Sequence, residues 1–370
     1  MFKVLVWGMT FNPGGVESVI MNYYRNISKD VCQFTFLGHT DEIAYKDEIL
    51  ARGDRIISIP TRRQNIIKFY KGLNNVFKEC KYDAVWANVC SLSNISLLKV
   101  AKKYGVKIRI IHSHNSKNMG SFKSAILHNI NKQFIHKYAT KFWACGQLAG
   151  EYFYKDKILK SDKYEIIPNA INLNRFKFDK AIRNKYRTDM GIDDKLVFGH
   201  VGRYHFQKNQ QFLLNVFYEI QKQREDAILL LVGQGEDEQK LKQQVVDLGI
   251  ESKVKFLGLR KDVESLLLSF DLMVFPSLFE GLSVALLEAQ ATGLPIYAAD
   301  TIAKQTKVNN NFKFLSLQST PSEWASFILN DISQLSRDSD AHKNLKNQGF
   351  DIDDQVQNFI DLLKTNVKED

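Results

Sequence analysis

Short apolar runs alternate with amphipathic stretches of helical period along this chain, and few folds satisfy that alternation. The runs at 4–7, 33–37, 84–87, 108–111, 142–144 and 164–167 read as buried strands. Between them lie helical stretches such as 17–27, 66–80 and 122–138. The pattern restarts at Leu196, with strands expected at 196–201, 228–232, 254–257, 272–275 and 296–298. The intervening helices fall at 210–223, 236–248, 262–269 and 283–291. Strands joined through helices pair in parallel, and a parallel sheet needs helices on both faces. The expected class is therefore α/β, with two doubly wound sheets in sequence. The first domain is expected over 1–175 and the second over 176–348, with a final helical stretch in 349–370 packing back on the first. Ligands in such sheets bind outside the carboxyl ends of the strands, so chemistry is sought in the loops that follow strands.

At 370 residues the chain can bury two cores. The four cysteines are scattered without a Cys-x-x-Cys pair, which reads as free thiols in a reducing compartment. The first apolar run is too short for a signal-peptide core, and no stretch approaches about 18 uninterrupted apolar residues. The expected location is cytoplasmic, or peripheral on the inner face of the cell membrane.

The net charge of +10 is uneven: 28 basic against 13 acidic residues over 1–178, then 23 against 28 over 179–370. A basic first half suits an anionic membrane surface, or is a lysine-rich solvated face. Nucleic acid is set aside, because no recognition motif accompanies the charge. Phe122, Ile126, Ile130, Phe134 and Tyr138 recur at four-residue spacing, with Lys123, Lys132, Lys137 and Lys141 among them. That pattern fits an interfacial helix, or a helix packing the same stripe on its own sheet.

Several loops can carry chemistry. Glu280-Gly281-Leu282-Ser283 follows the strand at 272–275 and opens a helix that holds Glu288. Backbone N–H groups after Gly281 suit a phosphate, and the two glutamates suit sugar hydroxyls; the alternative is that Glu280 caps the helix and Glu288 faces solvent. Gly202-Arg203 with Lys208-Asn209 puts two cations on one strand-to-helix loop, suited to a diphosphate, or to solvation. Gly233-Gln234-Gly235 lacks the third glycine of a dinucleotide fingerprint, and Glu236, Asp237 and Glu238 would repel a pyrophosphate, so an NAD site is rejected. Gly14-Gly15 after the first strand allows a close backbone approach. His112-Ser113-His114-Asn115 is read as the loop after the strand at 108–111. No third ligand accompanies these histidines, and Asp351 and Asp353 read as helix capping, so no metal and no cofactor is expected.

In this order and spacing the motifs resemble the retaining glycosyltransferases of family 4, whose fold is GT-B: two Rossmann-like domains facing across a cleft. The resemblance rests on Gly14-Gly15-Val16-Glu17, Gly202-Arg203, Lys208-Asn209, Val232-Gly233-Gln234-Gly235, Phe256-Leu257-Gly258, Pro276-Ser277, Glu280-Gly281, Glu288-Ala289 and Gly293-Leu294-Pro295. It implies a sugar transfer from a nucleotide sugar, UDP favoured, which is a substrate and not a cofactor. Arg203 and Lys208 would stabilise the departing diphosphate, Glu280 would meet the donor sugar, and Glu288 the ribose. Backbone at Gly14, Gly15, Gly202, Gly281, Leu282 and Ser283 would approach the donor, with Leu257 in the base pocket. His114 matches the family's active-site histidine, with His112 as the alternative. Asn22-Tyr23-Tyr24-Arg25 and Asp300-Thr301-Ile302 are similar to enzymes of capsular and exopolysaccharide assembly, which implies a saccharide acceptor on a polyprenyl diphosphate. One departure is the run 299–304, where many members carry a glycine-rich acidic loop. The alternative function is a non-catalytic GT-B partner that stabilises an active transferase.

Overall fold

The computed structural model describes residues 1–118 and 120–365, which form two compact units. One is Met1–Ala170 with the segment from Ile352 onward, and the other is Ile171–Asp351. The first unit holds β1 (Phe2–Trp7), β2 (Cys32–Gly38), β3 (Arg55–Ser58), β4 (Ala84–Val89), β5 (Ile108–Ser113), β6 (Lys141–Ala144) and β7 (Tyr164–Ile166). They form one parallel sheet in the order β3-β2-β1-β4-β5-β6-β7. The second unit holds β8 (Leu196–Val201), β9 (Ala227–Val232), β10 (Val254–Gly258), β11 (Leu272–Phe275), β12 (Ile296–Ala299) and β13 (Phe312–Leu315). Its sheet is also parallel, in the order β10-β9-β8-β11-β12-β13. Both are doubly wound sheets, as the alternation required. The order reverses between β1 and β4 in one unit and between β8 and β11 in the other, which is where such sheets open a crevice.

The strands that the sequence reading did not name, β3 and β13, are four-residue edge strands. Their side chains are mostly half-buried, so they lack the continuous apolar run that marks a central parallel strand. The glycines of Gly233-Gln234-Gly235 have a packing explanation. A Cβ on Gly233 would stand 2.1 Å from the Gly202 carbonyl oxygen, and one on Gly235 would stand 2.1 Å from that of Tyr204. The loop after β9 thus lies directly on the loop after β8, with the Tyr204 N–H donating to the Gln234 oxygen at 3.0 Å.

The second unit closes on itself where the chain enters and leaves: Ile171 bridges Asp351, and its N–H donates to Phe350 at 2.9 Å. The helix Ile352–Lys364 then belongs to the first unit. Phe359 stacks on Tyr23 at 4.4 Å and meets the Trp86 and Trp143 rings at 4.9 and 5.2 Å. The Lys141 ammonium donates to the Leu362 carbonyl, near the negative end of that helix.

The helix expected over 122–138 ends earlier, as Phe122–Phe134 followed by a 3₁₀ turn at Ile135–Lys137. Tyr138 therefore lies outside the stripe, and Lys141 is a buried residue of β6. The rest of the stripe faces outward: Phe122 is 79% exposed, Ile130 49% and Phe134 46%. It does not pack on its own sheet, because the one buried side chain of this helix is His128.

Candidate active site

In the second unit, the loop after β8 runs through a 3₁₀ turn, Phe206–Lys208, into the helix Gln210–Gln221. Asn209 makes the corner in the left-handed region at φ +54°, a conformation asparagine tolerates better than most residues. This loop is laced to the one after β11. The Leu278 N–H donates to the Gln207 carbonyl at 2.8 Å, Gln207 Nε2 to Phe279 at 2.9 Å, and Asn209 Nδ2 to Pro276 at 3.2 Å. The lacing sets the Lys208 ammonium on the Glu280 carboxylate, with both side chains largely shielded from water. Lys208 Nζ also lies 4.9 Å from the centre of the Phe275 ring. Glu280 therefore does not cap the helix. That helix is Val284–Ala291, with Ser283 at its N-cap and no side-chain cap bond.

The run after β12 has its own part in this arrangement. Ile302 pairs with Glu280 as an isolated bridge, the Ala303 N–H donates to the Glu280 carbonyl at 3.3 Å, and Thr301 Oγ1 donates to Ser277 at 2.7 Å. Three loops thus fix Glu280, the third being the run 299–304 that departs from the family's pattern.

Gly202 stands at the foot of Lys208, since a Cβ there would lie 3.4 Å from Lys208 Cε and 3.3 Å from His200 Nε2. His200 is fully buried, donates through Nδ1 to Val274 at 3.0 Å, and stacks on Phe275 at 5.1 Å. Burial lowers its pKa to about 4, so it stays neutral. Arg203 departs from the expected pairing. Its guanidinium meets Glu236 at 2.9 Å on an exposed surface, and His205 approaches the same carboxylate at 3.4 Å. The acidic run after β9, expected only to repel phosphate, instead holds one of the two cations. Leu257 is half-buried on the edge strand β10, and Glu288 is half-buried on its helix.

In the first unit, Gly14 is the N-cap of the helix Gly15–Asn26, without a side-chain cap bond. A Cβ on Gly15 would meet nothing within 4 Å, and its φ is not left-handed. Neither packing nor backbone conformation requires glycine there. Glu17 fastens the preceding loop, accepting from Thr10 Oγ1 at 2.6 Å and Thr10 N at 3.1 Å; burial raises its pKa.

The two histidines do not both lie in the loop after β5. β5 continues to Ser113, so His112 is inside the strand and fully buried, with Nδ1 accepting from Trp86 Nε1 at 3.3 Å. Only His114 reaches the carboxyl end of the sheet. Its Nε2 lies 2.9 Å from Asn88 Oδ1 at the end of β4, and its ring sits 4.3 Å from that of His112. Burial lowers the His114 pKa to about 3, and burial with His114 as neighbour lowers that of His112 well below the ordinary value. Among the described residues, no three His, Cys, Asp or Glu side chains gather as a metal cluster.

Set against known proteins, residues 13–175 match the family described as Glycosyltransferase Family 4, and 182–351 match Glycosyl transferases group 1. The chain is 33% identical to the putative glycosyltransferase EpsF of Bacillus subtilis (strain 168) over 324 residues, 86% of this chain and 84% of that protein. The chain belongs to glycosyltransferase family 4. It is also similar to the UDP-Gal:alpha-D-GlcNAc-diphosphoundecaprenol alpha-1,3-galactosyltransferase of Escherichia coli, with 27% identity over 70% of this chain and 69% of that one. Among solved structures, Anabaena Alr3699/HepE in complex with UDP and glucose superposes with a TM-score of 0.82 at 20% identity, covering 99% of this chain and all of that one. That likeness establishes the fold as GT-B. In this glycosyltransferase Gly14 and Gly15 follow β1, and Gly202, Arg203, Lys208 and Glu280 follow β8 and β11, the strands at which order reverses, whereas His114 follows β5 and Leu257 lies on the edge strand β10.

Proposed function

We propose that this glycosyltransferase transfers a sugar from a UDP-sugar to a saccharide acceptor carried on a polyprenyl diphosphate, with retention of anomeric configuration, in capsule or exopolysaccharide assembly. The observation that carries the reading is the Lys208–Glu280 pair, fixed by three loops at the β8/β11 reversal. A shielded ammonium there is suited to the charge that develops on a departing diphosphate, and a preorganised cation of this kind is usually the largest catalytic contribution. Arg203 supplies the second cation by leaving Glu236, so the reaction needs no metal. Glu280 meets the donor sugar, Glu288 the ribose hydroxyls and Leu257 the base. Backbone at Gly202, Gly281, Leu282, Ser283, Gly14 and Gly15 approaches the phosphates, and His114 contacts the sugar. Among the described residues no side chain at this site is arranged as an obvious nucleophile, which agrees with front-face attack by the acceptor hydroxyl. The E. coli relative's name, which contains both UDP-Gal and a diphosphoundecaprenol saccharide, favours this donor and acceptor class.

The lipid-linked acceptor gives the outward stripe of Phe122, Ile126, Ile130 and Phe134 a partner. With Lys123 and Lys137 flanking it, the stripe suits the headgroup region of an anionic leaflet, whereas Lys132 turns inward and donates to the Glu151 and Tyr152 carbonyls at 2.8 and 2.7 Å. The test of the whole reading is turnover of UDP-sugars with undecaprenyl-diphosphate-linked N-acetylglucosamine in the presence of EDTA, with the anomeric proton coupling of the product read by NMR. An α-linked product from an α-linked donor supports it. Turnover that stops with EDTA, or an inverted product, contradicts it.

A further inference from the structure

Asn88 was not singled out by any motif, yet it holds the group nearest the reacting end of the first unit. β4 and β5 pair in register, Asn88 opposite His112, and the His114 N–H donates to Val89 at 3.2 Å, so His114 is tied to the end of β4. Asn88 is buried, and its backbone and Cβ pack directly on Gly8, where a Cβ would come within 2.6–2.7 Å. Its amide orientation is assigned from its hydrogen-bond partners. Nδ2 faces the Trp86 carbonyl at 3.5 Å, and the opposite orientation would set two oxygens against each other. Oδ1 is therefore the atom 2.9 Å from His114 Nε2. An amide oxygen only accepts, so Nε2 must carry the proton. The tilted His112 ring at 4.3 Å keeps the imidazole in this plane.

We propose that Asn88 is a positioning residue that fixes His114 as the Nε2–H tautomer, so that Nδ1 meets the donor as a hydrogen-bond acceptor and selects a sugar hydroxyl. An imidazole in the other tautomer would donate at Nδ1 and select an acceptor atom instead. This deepens the reading of His114 as a sugar contact and rests on it for the ligand.

Two measurements separate the parts. Long-range ¹H–¹⁵N spectra of ¹⁵N-histidine protein, assigned with His114→Gln, read the tautomer directly. The expected result is Nε2–H in the wild type and in Asn88→Asp, which keeps the acceptor oxygen, with loss of that preference in Asn88→Ala. An Nδ1–H signal in the wild type, or an unchanged tautomer in Asn88→Ala, overturns the assignment; a purely structural role would not distinguish Asn88→Asp from Asn88→Ala in this way. The second measurement uses monodeoxyfluoro analogues of whichever of UDP-glucose, UDP-galactose or UDP-N-acetylglucosamine is turned over. A fluorine cannot donate, so one analogue loses roughly tenfold to a hundredfold in kcat/KM beyond its loss in His114→Ala, the cost of an unmet buried partner. Equal losses in the wild type and His114→Ala overturn the sugar contact while leaving the tautomer result standing.

Discussion

Lys208 shows what a single side chain can be asked to do here. Its ammonium is shielded and already paired with Glu280, so a phosphate must compete with a carboxylate for it. Lys208→Ala is expected to lower kcat by about 10²–10³, the usual cost of losing one preorganised charge-stabilising group. Arg203→Ala should act more through KM, because its exposed partner Glu236 releases it at little cost. Steady-state kinetics on the two variants checks both. The histidines give a prediction about pH. His114 and His200 have folded pKa values of about 3 and about 4, below the ordinary value of about 6.5 in an unfolded chain. As pH falls below about 6.5, the unfolded chain takes up protons that the native one refuses, so their stabilisation is full above that pH and is lost toward 3. Urea midpoints should fall between pH 7.5 and 5.5, and the fall should be shallower in His114→Gln. The cations and glycines of this site were legible in the sequence because each stands in a loop after a strand. Two things were not. The pairing of Lys208 with Glu280 spans 72 residues, and Asn88 directly follows the apolar run 84–87 with no motif around it.

At the scale of elements, every central strand was legible, as were the edge strands β7 and β10, and the two missed were the four-residue edges β3 and β13. A buried parallel strand such as β9 is continuously apolar, whereas β3 and β13 are short and half-wet. Gly233 and Gly235 looked like half of a nucleotide fingerprint, and their packing on Gly202 and Tyr204 gives the better physical reason. Gly235→Ala must push a methyl against the Tyr204 carbonyl, and is expected to cost about 1–3 kcal/mol in a urea titration. The helix Ile352–Lys364 shows chain order and packing order diverging: its Phe359 completes an aromatic cluster built from residues more than 200 positions earlier. Phe359→Ala should cost about 3–5 kcal/mol, read as a lowered urea midpoint.

At the scale of the whole molecule, loops of one sheet hold Arg203, Lys208 and Glu280, and loops of the other hold Gly15 and His114. The outward stripe on Phe122–Phe134 adds a surface whose partner is expected to be anionic lipid. Replacing Phe122 and Ile130 with glutamate should abolish co-sedimentation with phosphatidylglycerol vesicles, and added salt should weaken the wild-type binding. The proposed function stands on the second unit being a UDP-sugar site. Thermal unfolding with UDP-, GDP-, ADP- and TDP-sugars, without added metal, tests it most directly, with Glu288→Ala and Arg203→Ala run alongside. A ligand at a hundred times its dissociation constant adds about 2.7 kcal/mol, enough to raise Tm measurably. The expected result is a shift with the UDP-sugars that both variants weaken. No shift with any nucleotide sugar, or an equal shift in all three proteins, would contradict it.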